Sequence, residues 1–167
     1  GRAMIYSLDL KSAFNFVNHR YMKELLAKLN FSFKIQQLLS TIFSNMYSAV
    51  SMNGAKTSYF KLGKSIRQGD CASMTCFLLA IEPLANLIRR DQRIHPVILP
   101  NTPAKYVSQY CDDTNLFSTA PEDIRYINKH MKTFEQGSGS QFNTNKTEIL
   151  PVGEWKKSEI QCIPKCY

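Results

Sequence analysis

Alternation comes first along the chain. Met4-Ile5-Tyr6-Ser7-Leu8-Asp9-Leu10 reads as a β-strand that carries a carboxylate near its end. Apolar residues then return at helical spacing. Leu25, Leu26 and Leu29 mark one face of a helix over about 20–29, and Ile35, Leu38, Leu39, Ile42 and Phe43 mark a second over about 33–47. Ala49 to Met52 and Tyr59 to Leu62 flank Asn53-Gly54, a strong turn dipeptide, and predict a hairpin. A polar loop, Gly63 to Asp70, leads into a long helix from about Ser73. That helix is marked by Met74, Phe77, Leu78, Ile81, Leu84, Leu87 and Ile88, and Pro83 is expected to kink it. Pro96, Pro100 and Pro103 mark a connection, and Tyr106–Gln109 and Thr114–Phe117 flank a short polar centre as two strands of a second hairpin. Pro121-Glu122-Asp123 opens a helix expected to reach about Phe134 before Gly137-Ser138-Gly139-Ser140 breaks it. A turn and strand follow over Phe142–Leu150, and Gly153–Tyr167 has no clear period.

Strands and helices are thus interspersed, with mostly hairpin connections. That pattern predicts an α+β fold, an antiparallel β-sheet with helices packed on one face. No internal repeat and no low-complexity segment interrupts it.

The 167 residues suffice for one domain with a proper core, and a hydrophobic fraction of 44% excludes a largely disordered chain. A formal charge of +8 points to a polyanionic partner, nucleic acid before membrane, since no basic amphipathic helix stands out. A solvated basic surface is the plain alternative. Five cysteines, odd in number and mostly within apolar runs, read as reduced core thiols of an intracellular protein. Cys162 and Cys166 could form half of a metal site, but no second pair lies near. No apolar run reaches the ~20 residues needed to span a bilayer, and no secretory leader pattern opens the chain. Gly1-Arg2-Ala3 runs straight into a strand, which suggests a start inside a larger protein.

The candidate chemistry lies in three acids. Asp112 and Asp113 sit at the tip of the second hairpin, where two carboxylates repel unless protonated or neutralised by a cation. Asp9 lies near the end of the first strand. If those strands are neighbours, the three converge, and oxygen ligands of this kind suit two Mg²⁺ ions, with Mn²⁺ as a substitute. The alternative is three unrelated surface acids and a polar turn, because the sequence separation alone shows nothing.

Four ordered motifs carry a resemblance. Ser7-Leu8-Asp9-Leu10-Lys11-Ser12-Ala13-Phe14, Arg67-Gln68-Gly69 before a long helix, Tyr110-Cys111-Asp112-Asp113, and Ser138 to Thr147 together resemble the palm motifs of reverse transcriptases. Their order and spacing, with Ile81-Glu82-Pro83-Leu84, resemble those of non-LTR (LINE-type) retrotransposons. The resemblance implies a polymerase palm over 1–152, with 153–167 as a tail or the start of the next connection. It implies an RNA-directed DNA polymerase that joins deoxynucleoside triphosphates to a DNA primer on an RNA template. Asp9 and Asp112 would be the principal metal ligands, with Asp113 supporting the site and the carbonyl of Leu10 helping. Phe14 would be the steric gate beneath the sugar, and Gln68 and Gly69 would lie at the nascent base pair. Lys146 would sit near the leaving pyrophosphate, and Arg67 and Lys64 would contact phosphate or template backbone.

Departures accompany the matches. Asn15 stands where the family usually has an aspartate, Ser65 where it has a glycine before Arg-Gln-Gly, and Cys71-Ala72 where a proline is common. Fingers, thumb and endonuclease segments are expected in a longer polyprotein, so a palm fragment alone is expected to polymerise little. The alternative is a degenerate or domesticated palm that binds nucleic acid without catalysis. An RNA-dependent RNA polymerase is less favoured, because Tyr110-Cys111 replaces the glycine usual there and Phe14 is apolar. No membrane is expected, and a retrotransposon enzyme would work in the nucleus or cytoplasm.

Overall fold

The computed structural model describes residues 1–11, 17–44, 46–65, 73–110 and 113–155. In chain order, β1 is Arg2–Leu8, α1 His19–Lys28 and α2 Phe33–Ser44. Four two-residue strands follow, β2 (Tyr47–Ser48), β3 (Ser51–Met52), β4 (Ala55–Lys56) and β5 (Phe60–Lys61). Then come α3 (Ser73–Arg90), β6 (Val107–Tyr110), β7 (Asp113–Ser118), a 3₁₀ turn (Pro121–Asp123), α4 (Ile124–Ser138) and β8 (Glu148–Gly153).

Four of the strands form one antiparallel sheet in the order β6-β7-β1-β8. Alternation assigns its faces. Met4, Tyr6 and Leu8 of β1 and Thr114, Leu116 and Ser118 of β7 are buried, and each of these pairs with another across the register. Their neighbours Ile5, Ser7, Asn115 and Phe117 are only half-buried. The buried face is covered by α3, which contributes Phe77, Ala80, Ile81, Leu84 and Ile88, and by α4, which contributes Ile127, Met131 and Phe134. The α+β reading with helices on one face therefore holds. The Tyr21 hydroxyl of α1 donates to the Ala80 carbonyl at 2.8 Å, and burial pushes that phenol up to about 12, so it stays a neutral donor.

Local chemistry explains most element ends. Asn18 is extended, and its side chain accepts from the Arg20 N–H at 2.8 Å, which caps α1. Asn53 and Gly54 both take positive φ (51° and 82°), as a tight hairpin turn requires. The return arm of that hairpin begins at Ala55, earlier than the expected Tyr59, because β4 pairs with β3 before β5 pairs with β2. Tyr47 belongs to β2 and not to the preceding helix, since its backbone pairs with Lys61. α3 continues through Pro83 to Arg90.

Two expectations near the C-terminus need correction. α4 does not stop at Phe134 but runs to Ser138, where Gly139 at φ 75° supplies the left-handed cap and donates to the Glu135 carbonyl. Gly137 alone is too weak a breaker when Phe134 and Ser138 are buried on either side of it. The tail expected from residue 153 also begins in ordered structure. Gly153 pairs with Arg2, and the Trp155 indole donates to the Ala3 and Val152 carbonyls. Residues 156–167, including Cys162 and Cys166, lie outside the described residues, as do Cys71 and Cys111. Cys76 is buried in the core.

Candidate active site at one end of the sheet

The site is built where β1 ends beside the β6–β7 hairpin. Leu8 pairs with Thr114, so the next step in the antiparallel register sets Asp9 against Asp113. β1 ends at Leu8, two residues earlier than the sequence implied, and Asp9 follows it directly. Residues opposed in this way hold their Cβ atoms roughly 5 Å apart. Because Leu8 and Thr114 are buried under the helices, alternation turns Asp9 and Asp113 to the opposite face of the sheet. Asp9 is half-buried and Asp113 exposed. Tyr110 pairs with Asp113, so the hairpin closes over the two residues between them, one of which is Asp112. Asp112 itself lies outside the described residues.

A third segment joins on the other side. The Asn143 N–H donates to the Asp9 carbonyl at 2.8 Å, the Lys11 N–H donates to Gln141, and Leu10 bridges Phe142. The Asp9 carbonyl thus points towards this segment, and strand alternation turns the Leu10 carbonyl towards the hairpin. Asn143 also folds the turn that presents Lys146. Its carbonyl accepts from the Lys146 and Thr147 N–H groups at 3.0 and 2.9 Å, and its side chain accepts from Asn145. Lys146 is exposed at that turn. In the sequence Asn143 falls within the Ser138–Thr147 motif with no role of its own. Its Asn-Thr-Asn-Lys-Thr context is an Asx-turn signature that could have identified it as the residue tying Lys146 to Asp9.

Lys64 stands apart from this cluster. It is exposed and bridges Asn18, while the Ser65 N–H donates to the Val17 carbonyl at 3.1 Å. His19 Nε2 lies 2.8 Å from the Ser65 carbonyl. The segment before the Arg-Gln-Gly motif is therefore clipped to the start of α1. Phe14, Arg67, Gln68 and Gly69 lie outside the described residues.

The donor set brought together is all oxygen: two carboxylates and a backbone carbonyl, which suits a hard divalent cation. Among the described residues no three His, Cys, Asp or Glu side chains form a metal cluster. Two oxygen-bearing side chains meet there, and the third of the predicted set is Asp112.

A four-stranded antiparallel sheet backed by helices on one face, with acids at the mouth of a two-residue hairpin, is a polymerase palm. The chain belongs to the reverse transcriptase (RNA-dependent DNA polymerase) family, whose model matches residues 1–161. It is 28% identical over 151 residues to the transposon TX1 uncharacterized 149 kDa protein of Xenopus laevis, covering 90% of this chain but 11% of that protein. Its fold is similar to telomerase from Candida tropicalis solved with a fragment of telomeric RNA, with a TM-score of 0.69 at 12% identity over 90% of this chain and 26% of that one. Telomerase from Candida albicans gives a TM-score of 0.66 at 10% identity, over 93% of this chain and 28% of that one.

Proposed function

We propose that this chain is the catalytic palm of an RNA-directed DNA polymerase of a retrotransposon, extending a DNA primer on an RNA template. The observation that carries this reading is the antiparallel register that opposes Asp9 and Asp113 on the open face of the sheet, beside the Lys146 turn. In the reaction the primer 3′-oxygen forms a bond to the α-phosphorus of a deoxynucleoside triphosphate. The bond to the β-phosphate oxygen breaks, and pyrophosphate leaves. Asp9, Asp113 and Asp112 would hold divalent metal, Mg²⁺ in our reading, with the Leu10 carbonyl as a further donor. Such metal supplies charge neutralisation at the phosphates and a more acidic primer hydroxyl. Lys146 would offer a proton or a positive charge to the leaving pyrophosphate. Phe14 would exclude ribonucleotides by blocking a 2′-hydroxyl.

The chain spans 11% of its transposon relative, so the test belongs to the longest natural polypeptide that carries it. Primer extension on an RNA template with Mg²⁺ is compared between the wild type and Asp9→Asn and Asp113→Asn variants. We expect Asp9→Asn to lower the rate by about 100-fold or more while template binding is retained. Extension that survives Asp9→Asn undiminished would overturn the assignment.

A further inference from the structure

The helix layer carries a groove on the side of the sheet away from Asp9 and Asp113. It has a volume of about 970 Å³ and lies between the end of α1, the second half of α3 and the middle of α4. Its floor is aliphatic, formed by Leu25, Leu29, Pro83 and Leu87. Leu29 is 47% exposed, an uncovered apolar surface at the groove's edge. Lys28 and Arg90 stand on the rim, both exposed, and among the described residues neither has an acidic partner.

The one acid in the groove does not oppose that charge. Asp91 is engaged inward. Arg93 donates to it through Nε and Nη2 at 2.7 and 2.6 Å, and His130 Nε2 lies 2.7 Å from its Oδ2. The Arg93 guanidinium holds the Asp91 carboxyl well below the usual carboxylate range, with His130 adding to the effect. Arg93 also lies over the Tyr126 ring, 4.3 Å from its centroid. An aliphatic floor bounded by two unspent cations complements an amphipathic ligand with acidic groups along its edge.

We propose that this groove docks an acidic amphipathic peptide segment of a partner protein. The segment's apolar side would lie on Leu25, Leu29, Pro83 and Leu87, with its carboxylates at Lys28 and Arg90. Helix-in-groove recognition of this kind reads anchors at i, i+3, i+4 and i+7. RNA fits less well, because the apolar floor is aliphatic and His130, a ring in the lining, is held against Asp91. The site sits on the helix side of the sheet, whereas Asp9 and Asp113 face the other side, so an occupant would leave the carboxylates open.

The probe is a fluorescein-labelled helical peptide of about 15 residues, with Leu at the anchor positions and Glu between them, followed by anisotropy with the full chain. A matched peptide carries Lys in place of Glu, and a labelled single-stranded RNA of similar length forms the third arm. We expect the acidic peptide to bind and the basic one not to. The Lys28→Glu/Arg90→Glu double variant should weaken the acidic peptide about tenfold or more and admit the basic peptide. Leu29→Ser, at an exposed position, should also weaken the acidic peptide while thermal melting stays unchanged. Equal binding of the acidic peptide by the wild type and the double variant would overturn the proposal. So would RNA binding that falls tenfold in the double variant while the acidic peptide never binds.

Discussion

Ser65 occupies a backbone position that serine tolerates poorly. Its φ is 98°, a region open to glycine and costly for a side chain with a Cβ. The conformation is imposed by its surroundings, since its N–H is bonded to Val17 and its carbonyl sits beside His19. This gives a physical reason for the glycine usual at that place before the Arg-Gln-Gly motif. Ser65→Gly should therefore stabilise the fold by about 1 kcal/mol, read as a rise in denaturant midpoint at unchanged slope. A second residue-scale feature lies under the hairpin. Gln109 and Thr114 face each other across β6 and β7, yet Gln109 Nε2 and Thr114 Oγ1 are buried with no hydrogen-bond partner among the described residues. A buried hydroxyl without a partner costs on the order of 1–3 kcal/mol. Thr114→Val, which keeps the shape and removes that hydroxyl, should leave stability unchanged or raise it by about 1 kcal/mol. A loss above about 1 kcal/mol would mean that the hydroxyl has a partner, such as an ordered water.

Among the elements, α2 departs most from what its periodicity suggested. Of the expected stripe, Ile35, Leu38 and Ile42 are exposed, Leu39 is only partly buried against the core, and only Phe43 of this helix is buried. Periodicity reports that a face is apolar, and it cannot say what meets that face. Exposed Val50, Met52, Tyr59 and Phe60 on the neighbouring strands and loops add to the apolar surface. Such surface favours association. Leu38→Glu, at a position 61% exposed, should raise solubility in a concentration series while shifting stability by less than about 0.5 kcal/mol. A cooperative loss of several degrees in Tm would show that the side chain is packed.

For the whole molecule, charge is the governing quantity. Lys and Arg exceed Asp and Glu by 21 to 13, and an RNA ligand contacted at about four phosphates should give a slope near about −3 in log affinity against log salt. Binding measured by anisotropy from about 50 to 200 mM salt checks this, and a flat response would show that the excess charge is only solvated surface. The sheet has two distinct faces. Alternation turns Asp9 and Asp113 to one, while the helices, with their groove, cover the other.

Much of this was legible locally. Alternation in β1 and β7 and the Asn53-Gly54 turn depend on residues within a few positions of one another, and short-range sterics and hydrogen bonding decide them. Asp9 and Asp113 were candidates from the sequence because adjacent carboxylates repel unless protonated or neutralised by a cation, and a third acid near a strand end could join them. Their placement at neighbouring strand ends is a tertiary matter, since 104 residues (113 − 9) separate them and only the β1–β7 register, which runs to Leu8 and Thr114, brings those ends together. Asn143 as the link between Lys146 and Asp9, the unpartnered Gln109–Thr114 pair, the uncovered face of α2 and the groove beneath Lys28 and Arg90 likewise arise where distant segments pack. The amino-acid order determined which residues are apolar, charged or turn-forming, and hence the elements and the family. Packing decided which of those faces are covered and which polar groups find partners, because burial and hydrogen bonding depend on neighbours that the sequence alone does not position.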